Sequence, residues 1–188
     1  AICAGASSSG YGYGYGAFDD DFRDAIKGGE YGGFQIGQVQ SANSDSGIIK
    51  GLLGESGKNN RNTTGIPGLA LHYAECHDNY TLFDKLVYST IAPLSGDFAD
   101  KFADAYKVVI ADKDKLNSIK AQNKLAAAYV LLSQGTPFIN GGQEFMRTKQ
   151  GDPDSYAADK KGGVFWSNID EVNAIDLNMK EKNNDVYN

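Results

Sequence analysis

The sequence predicts an α/β fold with parallel strands, and two observations carry that expectation. A short apolar run at residues 69 to 76, LALHYAEC, is followed by a polar loop and then by a helical segment, LFDKLVYST. A second apolar run, TPFIN at 136 to 140, follows a long helical segment and leads into GGQEFMRTKQGDPDSY, rich in glycine and polar side chains. Both runs are short and bounded by Gly or Pro, which suits buried strands better than helices. In parallel α/β architectures ligands bind at the C-terminal ends of strands, so the polar cluster after each run is where chemistry is expected.

The other elements follow in chain order. Residues 7 to 16, SSSGYGYGYG, place glycine at alternate positions, where backbone entropy opposes a packed strand or helix, and a loop is expected. From Phe18 onward Asp19, Asp20 and Asp21 can cap a short helix that ends at Gly28 and Gly29. A second short helix is expected over 48–53, between long Gly-, Ser- and Asn-rich surface loops at 29–47 and 54–68. Thr81 with Asp84 three residues on resembles a capping box for a helix whose apolar face includes Leu82, Leu86 and Val87. A helix over about 100–111 precedes a stronger one over about 116–134, where Ile119, Ala126, Tyr129, Val130 and Ser133 recur at helical spacing and Gly135 is the natural C-cap.

Composition narrows the function classes. The 188 residues, 41% apolar and 22% charged, suffice for one ordinary domain with a sizeable core. A formal net charge of −6 with scattered Lys and Arg argues against a nucleic-acid partner. The apolar runs are far shorter than the roughly 20 residues of a membrane span, so a soluble protein with no membrane partner is expected. Cys3 and Cys76 form no CxxC pair, and the opening AICAGASSSG shows no signal peptide, which leaves the compartment open between secreted and cytoplasmic.

His77, one of two histidines, stands directly before Asp78 and Asn79 at the end of the first apolar run. Asp78 and Asn79 could simply cap the helix that follows. A metal site built from His72, Glu75, Cys76 and His77 is disfavoured, because residues 72 to 76 alternate faces on a strand. A Cys76/His77 nucleophile pair is disfavoured because adjacent residues on an extended chain point apart. A carboxylate mechanism remains, and it requires more than one carboxylate.

The segments LHYAECHDNYTLFDKL, AAAYVLLSQGTPFINGGQEFMRTKQGDPDSY and the upstream FDDDFRDAIKGG together resemble the α-amylase superfamily of glycoside hydrolases, within it the type I pullulanases and related debranching enzymes. The resemblance implies that residues 18–188 are the C-terminal portion, about the last three βα units, of a (β/α)8 TIM barrel, incomplete on its own, preceded by the low-complexity segment 1–17. It implies that Asp78 is the transition-state-stabilising carboxylate, His77 its partner on a substrate hydroxyl, and Asn79 a residue beside them that touches sugars. Arg147 and Tyr156, with Lys149, resemble the loop after strand 8, where sugar contact and a salt-bridged loop are equally expected; Glu144 is expected to be structural. The family pattern has FND, VNY and NSY where this chain has Phe18-Asp19-Asp20, Leu71-His72-Tyr73 and Asp154-Ser155-Tyr156.

The implied activity is retaining cleavage of α-1,6 branch linkages in an α-glucan such as pullulan or a starch or glycogen dextrin, through a covalent intermediate. The nucleophile and general acid of that site have no counterpart in these residues, so the chain alone is expected to be inactive and to need the N-terminal part of the same barrel as its partner. No cofactor is required; some relatives bind calcium, and no calcium site is readable here. The alternative is a non-catalytic α-glucan-binding or structural remnant of such a barrel.

Overall fold

A computed structural model describes residues 16–29, 35–55, 67–90, 102–153, 155 and 169–188. The low-complexity segment up to residue 15 and Tyr156 lie outside the described residues. The chain divides into two compact units, Ala1–Ala74 with Leu125–Ile139, and Glu75–Lys124 with Asn140–Asn188.

The first unit holds a parallel sheet of β1 (Ala17–Phe18), β2 (Ala70–His72) and β3 (Thr136–Pro137) in the order β1-β2-β3. Ala17 pairs with Ala70, and Leu71 with Thr136. Helix α1 (Asp20–Lys27) forms as its ends predict. The Asp19 carboxylate accepts from Phe22 N at 3.0 Å, Asp20 and Asp21 sit in the positive first turn, and Gly28 closes the helix at φ 84°. A Cβ at Gly28 would lie 2.1 Å from the Gln35 carbonyl oxygen, so only glycine fits this exit. Phe22 and Ile26 are buried, and α1 packs on α2 (Asp45–Leu52), where a Cβ on Gly51 would collide with the Phe22 ring.

Both expected strands are shorter than their apolar runs. β2, central among the described strands, is buried at all of its residues, whereas Thr136 and Pro137 of β3 are exposed, contrary to the buried strand that TPFIN suggests. Pro137 has no N–H to donate to the ladder and is tolerated because β3 borders the described sheet. Pairing extends one bond further, from Phe138 N to the His72 carbonyl at 2.8 Å, and Phe138 then joins an edge-to-face cluster with Phe18 and Tyr73.

Two departures from the family pattern meet in this unit. His72 Nε2 lies 3.2 Å from the Asp19 carboxylate with both side chains buried, and His72 Nδ1 is 2.6 Å from Ser133 Oγ. At these two positions a carboxylate and an imidazole thus stand against each other. Arg23 donates to the Tyr73 hydroxyl at 2.8 Å, and that hydroxyl donates to Asp20 at 2.6 Å.

The second unit contains α3 (Leu82–Ser89), α4 (Phe102–Ala111), the first part of α5 (Lys113–Leu132), a 3-10 turn at Gln143–Phe145 and the short helices α6 (Ile169–Asn173), α7 (Asn178–Lys182) and α8 (Asn184–Tyr187). Only half of the expected capping box forms. Thr81 Oγ1 accepts from Asp84 N at 3.1 Å, but the Asp84 carboxylate turns to other partners. α3 packs on α4 through Phe83 against Tyr106 and Tyr88 against Phe102. Along α5 the buried stripe is Ile119, Asn123, Ala126 and Val130; Asn123 donates to the Gln143 carbonyl at 3.1 Å, while Tyr129 is half-buried. Among the described residues no helix is long and apolar enough to cross a membrane.

Candidate functional site

The histidine–aspartate cluster lies in the second unit, on the irregular segment between Glu75 and Thr81 that follows β2 in the chain. Three features fix this segment's backbone. The buried Glu75 carboxylate accepts from Leu82 N, across the segment's ends, and from Asn140 Nδ2 at 2.9 Å. Lys149, almost fully buried, donates from its ammonium to the His77 carbonyl at 3.1 Å. Asn79 takes the left-handed conformation at φ 61°, which asparagine tolerates better than most residues and which turns the chain toward Thr81.

On this held backbone His77 and Asp78 are exposed, with side-chain accessibilities of 78% and 56%, and His77 Nε2 stands 3.5 Å from Asp78 Oδ1. Asn79 beside them is half-buried. A carboxylate and an imidazole that both reach solvent from an ordered loop can bind adjacent hydroxyls of a polyol or sugar, one accepting and one donating.

The loop 147–151 is tied to α3 by a second buried carboxylate. Asp84 Oδ2 accepts from Lys149 N at 2.9 Å and from Gly151 N at 3.1 Å, and Asp84 Oδ1 accepts from the Thr148 hydroxyl. Burial holds the Asp84 carboxyl above the ordinary carboxylate range, against the pull of those donors. Burial likewise lowers the Lys149 ammonium, while the charges of Asp84, Asp152 and Glu75 oppose the shift. For Lys149 the structure thus gives an internal role, not an exposed sugar-facing one.

Arg147, for which sugar contact and a salt-bridged loop are equally expected, spends one guanidinium nitrogen on the Asn173 carbonyl at 2.6 Å and packs over Gly142, a glycine at φ 98°. Glu144, expected to be structural, accepts from Gly142 N at 2.9 Å. Tyr156 lies outside the described residues, so its expected sugar contact has no geometry here.

Sequence reasoning missed Glu75 and Lys149 as anchors of the loop and Asn140 as a donor to Glu75. A carboxylate inside a run read as buried was the available signal for Glu75, because such a group needs donors. Reasoning also placed Cys76 and His77 on opposite faces of a strand. The strand ends at His72, and beyond the bend Cys76 Sγ, a His77 ring nitrogen and an Asp78 oxygen all lie within 4.8 Å of one another.

Comparison with known proteins agrees with the pullulanase resemblance. Over 171 residues, 88% of the chain, it is 33% identical to the pullulanase of Bacillus subtilis, of which it covers 19%. The chain is a pullulanase-like region. A solved pullulanase from Paenibacillus barengoltzii, in complex with maltohexaose and α-cyclodextrin, superposes on 96% of the chain with a TM-score of 0.68 at 30% identity, using 24% of its own chain. The pullulanase of Bacillus acidopullulyticus superposes on 92% with a TM-score of 0.65 at 28% identity. No family model matches the chain. The pullulanase-like chain thus spans about a fifth or less of the length of the curated relatives it matches.

Proposed function

We propose that the chain forms the C-terminal βα units of a (β/α)8 catalytic barrel that hydrolyses α-1,6 branch linkages in α-glucans with retention. The observation that carries this reading is the exposed His77–Asp78 pair on a backbone anchored from Glu75, Leu82, Asn140 and Lys149. In the proposed mechanism the ionised Asp78 accepts hydrogen bonds from hydroxyls of the sugar whose glycosidic bond is breaking. Those bonds strengthen as the ring flattens and positive charge develops at the anomeric carbon. His77 donates to a hydroxyl of the same sugar, and Asn79 sits where a neighbouring sugar would pass. The nucleophile that forms the glycosyl intermediate, and the acid that protonates the leaving oxygen, come from another part of the longer protein, so the isolated chain does not turn over.

Pullulanase relatives and a relative solved with maltohexaose support this assignment, and they give no support to a remnant without chemistry. The test is hydrolysis by the full-length protein. Reducing ends are expected to appear from pullulan and not from a linear α-1,4-glucan; inertness toward pullulan would sink the proposal.

Loop anchoring makes a further prediction. Lys149→Met keeps the buried stem and removes the donor to the His77 carbonyl. It is expected to lower kcat on pullulan on the order of tenfold, with a smaller change in KM, because slight misplacement of a positioned group is costly in rate. An unchanged kcat in a folded variant would mean that the loop holds its shape without Lys149.

A further inference from the structure

We propose that Cys76, His77 and Asp78 form a binding site for a single borderline-soft divalent cation, with Zn2+ as the type case. Their ligand atoms, a thiol sulfur, an imidazole nitrogen and a carboxylate oxygen, all lie within 4.8 Å of one another. The His77 Nε2 to Asp78 Oδ1 separation is 3.5 Å. Two ligand atoms bound at about 2.0–2.1 Å in a tetrahedron stand about 3.4 Å apart, so this pair is already close to the spacing that zinc requires.

The remaining approach, of the sulfur to the other two, needs only side-chain rotation, and His77 and Asp78 are exposed and able to make it. Little backbone ordering is needed on binding, since Glu75 and Lys149 already hold the segment.

The donor set selects the ion. A thiolate and an imidazole favour Zn2+ and its neighbours over Ca2+ or Mg2+, which prefer oxygen. Cys76 is buried, so its sulfur is sheltered while the other two ligands face solvent. Three protein ligands leave a fourth position for water.

Binding does not depend on the catalytic reading of Asp78. Its consequence for hydrolysis does: a cation that occupies the Asp78 carboxylate competes with the sugar for it.

The experiment is a titration of the full-length protein, reduced and stripped with EDTA, first with Co2+ and then with Zn2+. A near-ultraviolet thiolate-to-cobalt charge-transfer band is expected to saturate at one ion, to disappear on Zn2+ addition, to survive Cys3→Ser and to be absent from Cys76→Ser. No band in the wild type, or a band that persists in Cys76→Ser, would overturn the site. Because Cys76 is buried, the exposed His77→Ala serves as a second variant. Its Zn2+ affinity should fall more than about tenfold, given that even outer-sphere partners contribute 10–100-fold, and unchanged affinity would also overturn the site. Pullulan hydrolysis is measured separately: inhibition that EDTA reverses is expected, and full activity of the Zn2+-loaded protein would leave the metal site standing while removing Asp78 from catalysis.

Discussion

Asp78→Asn in the full-length protein is expected to lower kcat on pullulan by at least about 10²-fold while the protein stays folded. The scale is that of losing one preorganised group aimed at charge that develops in the transition state, on the order of 3 kcal/mol. Asparagine keeps the size and one acceptor oxygen of aspartate but not the negative charge, so ground-state sugar binding should change less than the rate. Stability should hardly move, because the side chain is exposed and its close partner is the still more exposed His77. Loss of kcat with a nearly unchanged KM and an unchanged melting transition is therefore the signature expected. Retained activity would remove the proposed role, and loss accompanied by unfolding would place Asp78 among the structural residues.

Local signals were legible. Asp19 as a cap and Gly28 as an exit bound α1 at both ends because capping is decided within four residues. The α5 stripe and the HDN motif were legible for the same reason: periodicity and a short motif are written in consecutive residues. What could not be read depends on partners far along the chain. Lys149 reaches the His77 carbonyl across 72 positions, and Asn140 reaches Glu75 across 65. The exposure of β3 was hidden because an apolar run does not say whether anything lies beside it. The mutual contact of Asp19 and His72 was likewise hidden, since each alone read as an isolated departure from the family pattern. The bend after β2 removed the strand alternation that had set Cys76 and His77 apart, and with it the argument against their cooperation.

Asp84 carries the largest expected effect on stability. Its carboxylate is fully buried and accepts from two backbone N–H groups and one hydroxyl, which together tie α3 to the loop that presents Lys149. Asp84→Ala would leave Lys149 N and Gly151 N buried without an acceptor. At about 1–3 kcal/mol for each orphaned group, a loss of roughly 3 kcal/mol or more is expected in denaturant titration. Asp84→Asn should behave differently. Its amide oxygen can take the place of Oδ2, which accepts both backbone bonds, and its amide nitrogen can donate to Thr148 Oγ1.

The same variant tests the electrostatics. Burial raises the folded-state pKa of Asp84 above its unfolded value, so the contribution of Asp84 to stability is fully present below the unfolded pKa and declines as pH rises through the folded one. Asp84→Asn cannot titrate and lacks this decline. The stability of Asp84→Asn relative to wild type should therefore increase as pH rises from the ordinary carboxylate range upward, and level off above the folded pKa. A relative stability that is flat over that interval, and that falls with rising pH only below the ordinary carboxylate range, would mean that the three donors outweigh burial and hold the carboxylate ionised. In that case Asp84 would act as a fixed negative counterpart to the buried Lys149 ammonium.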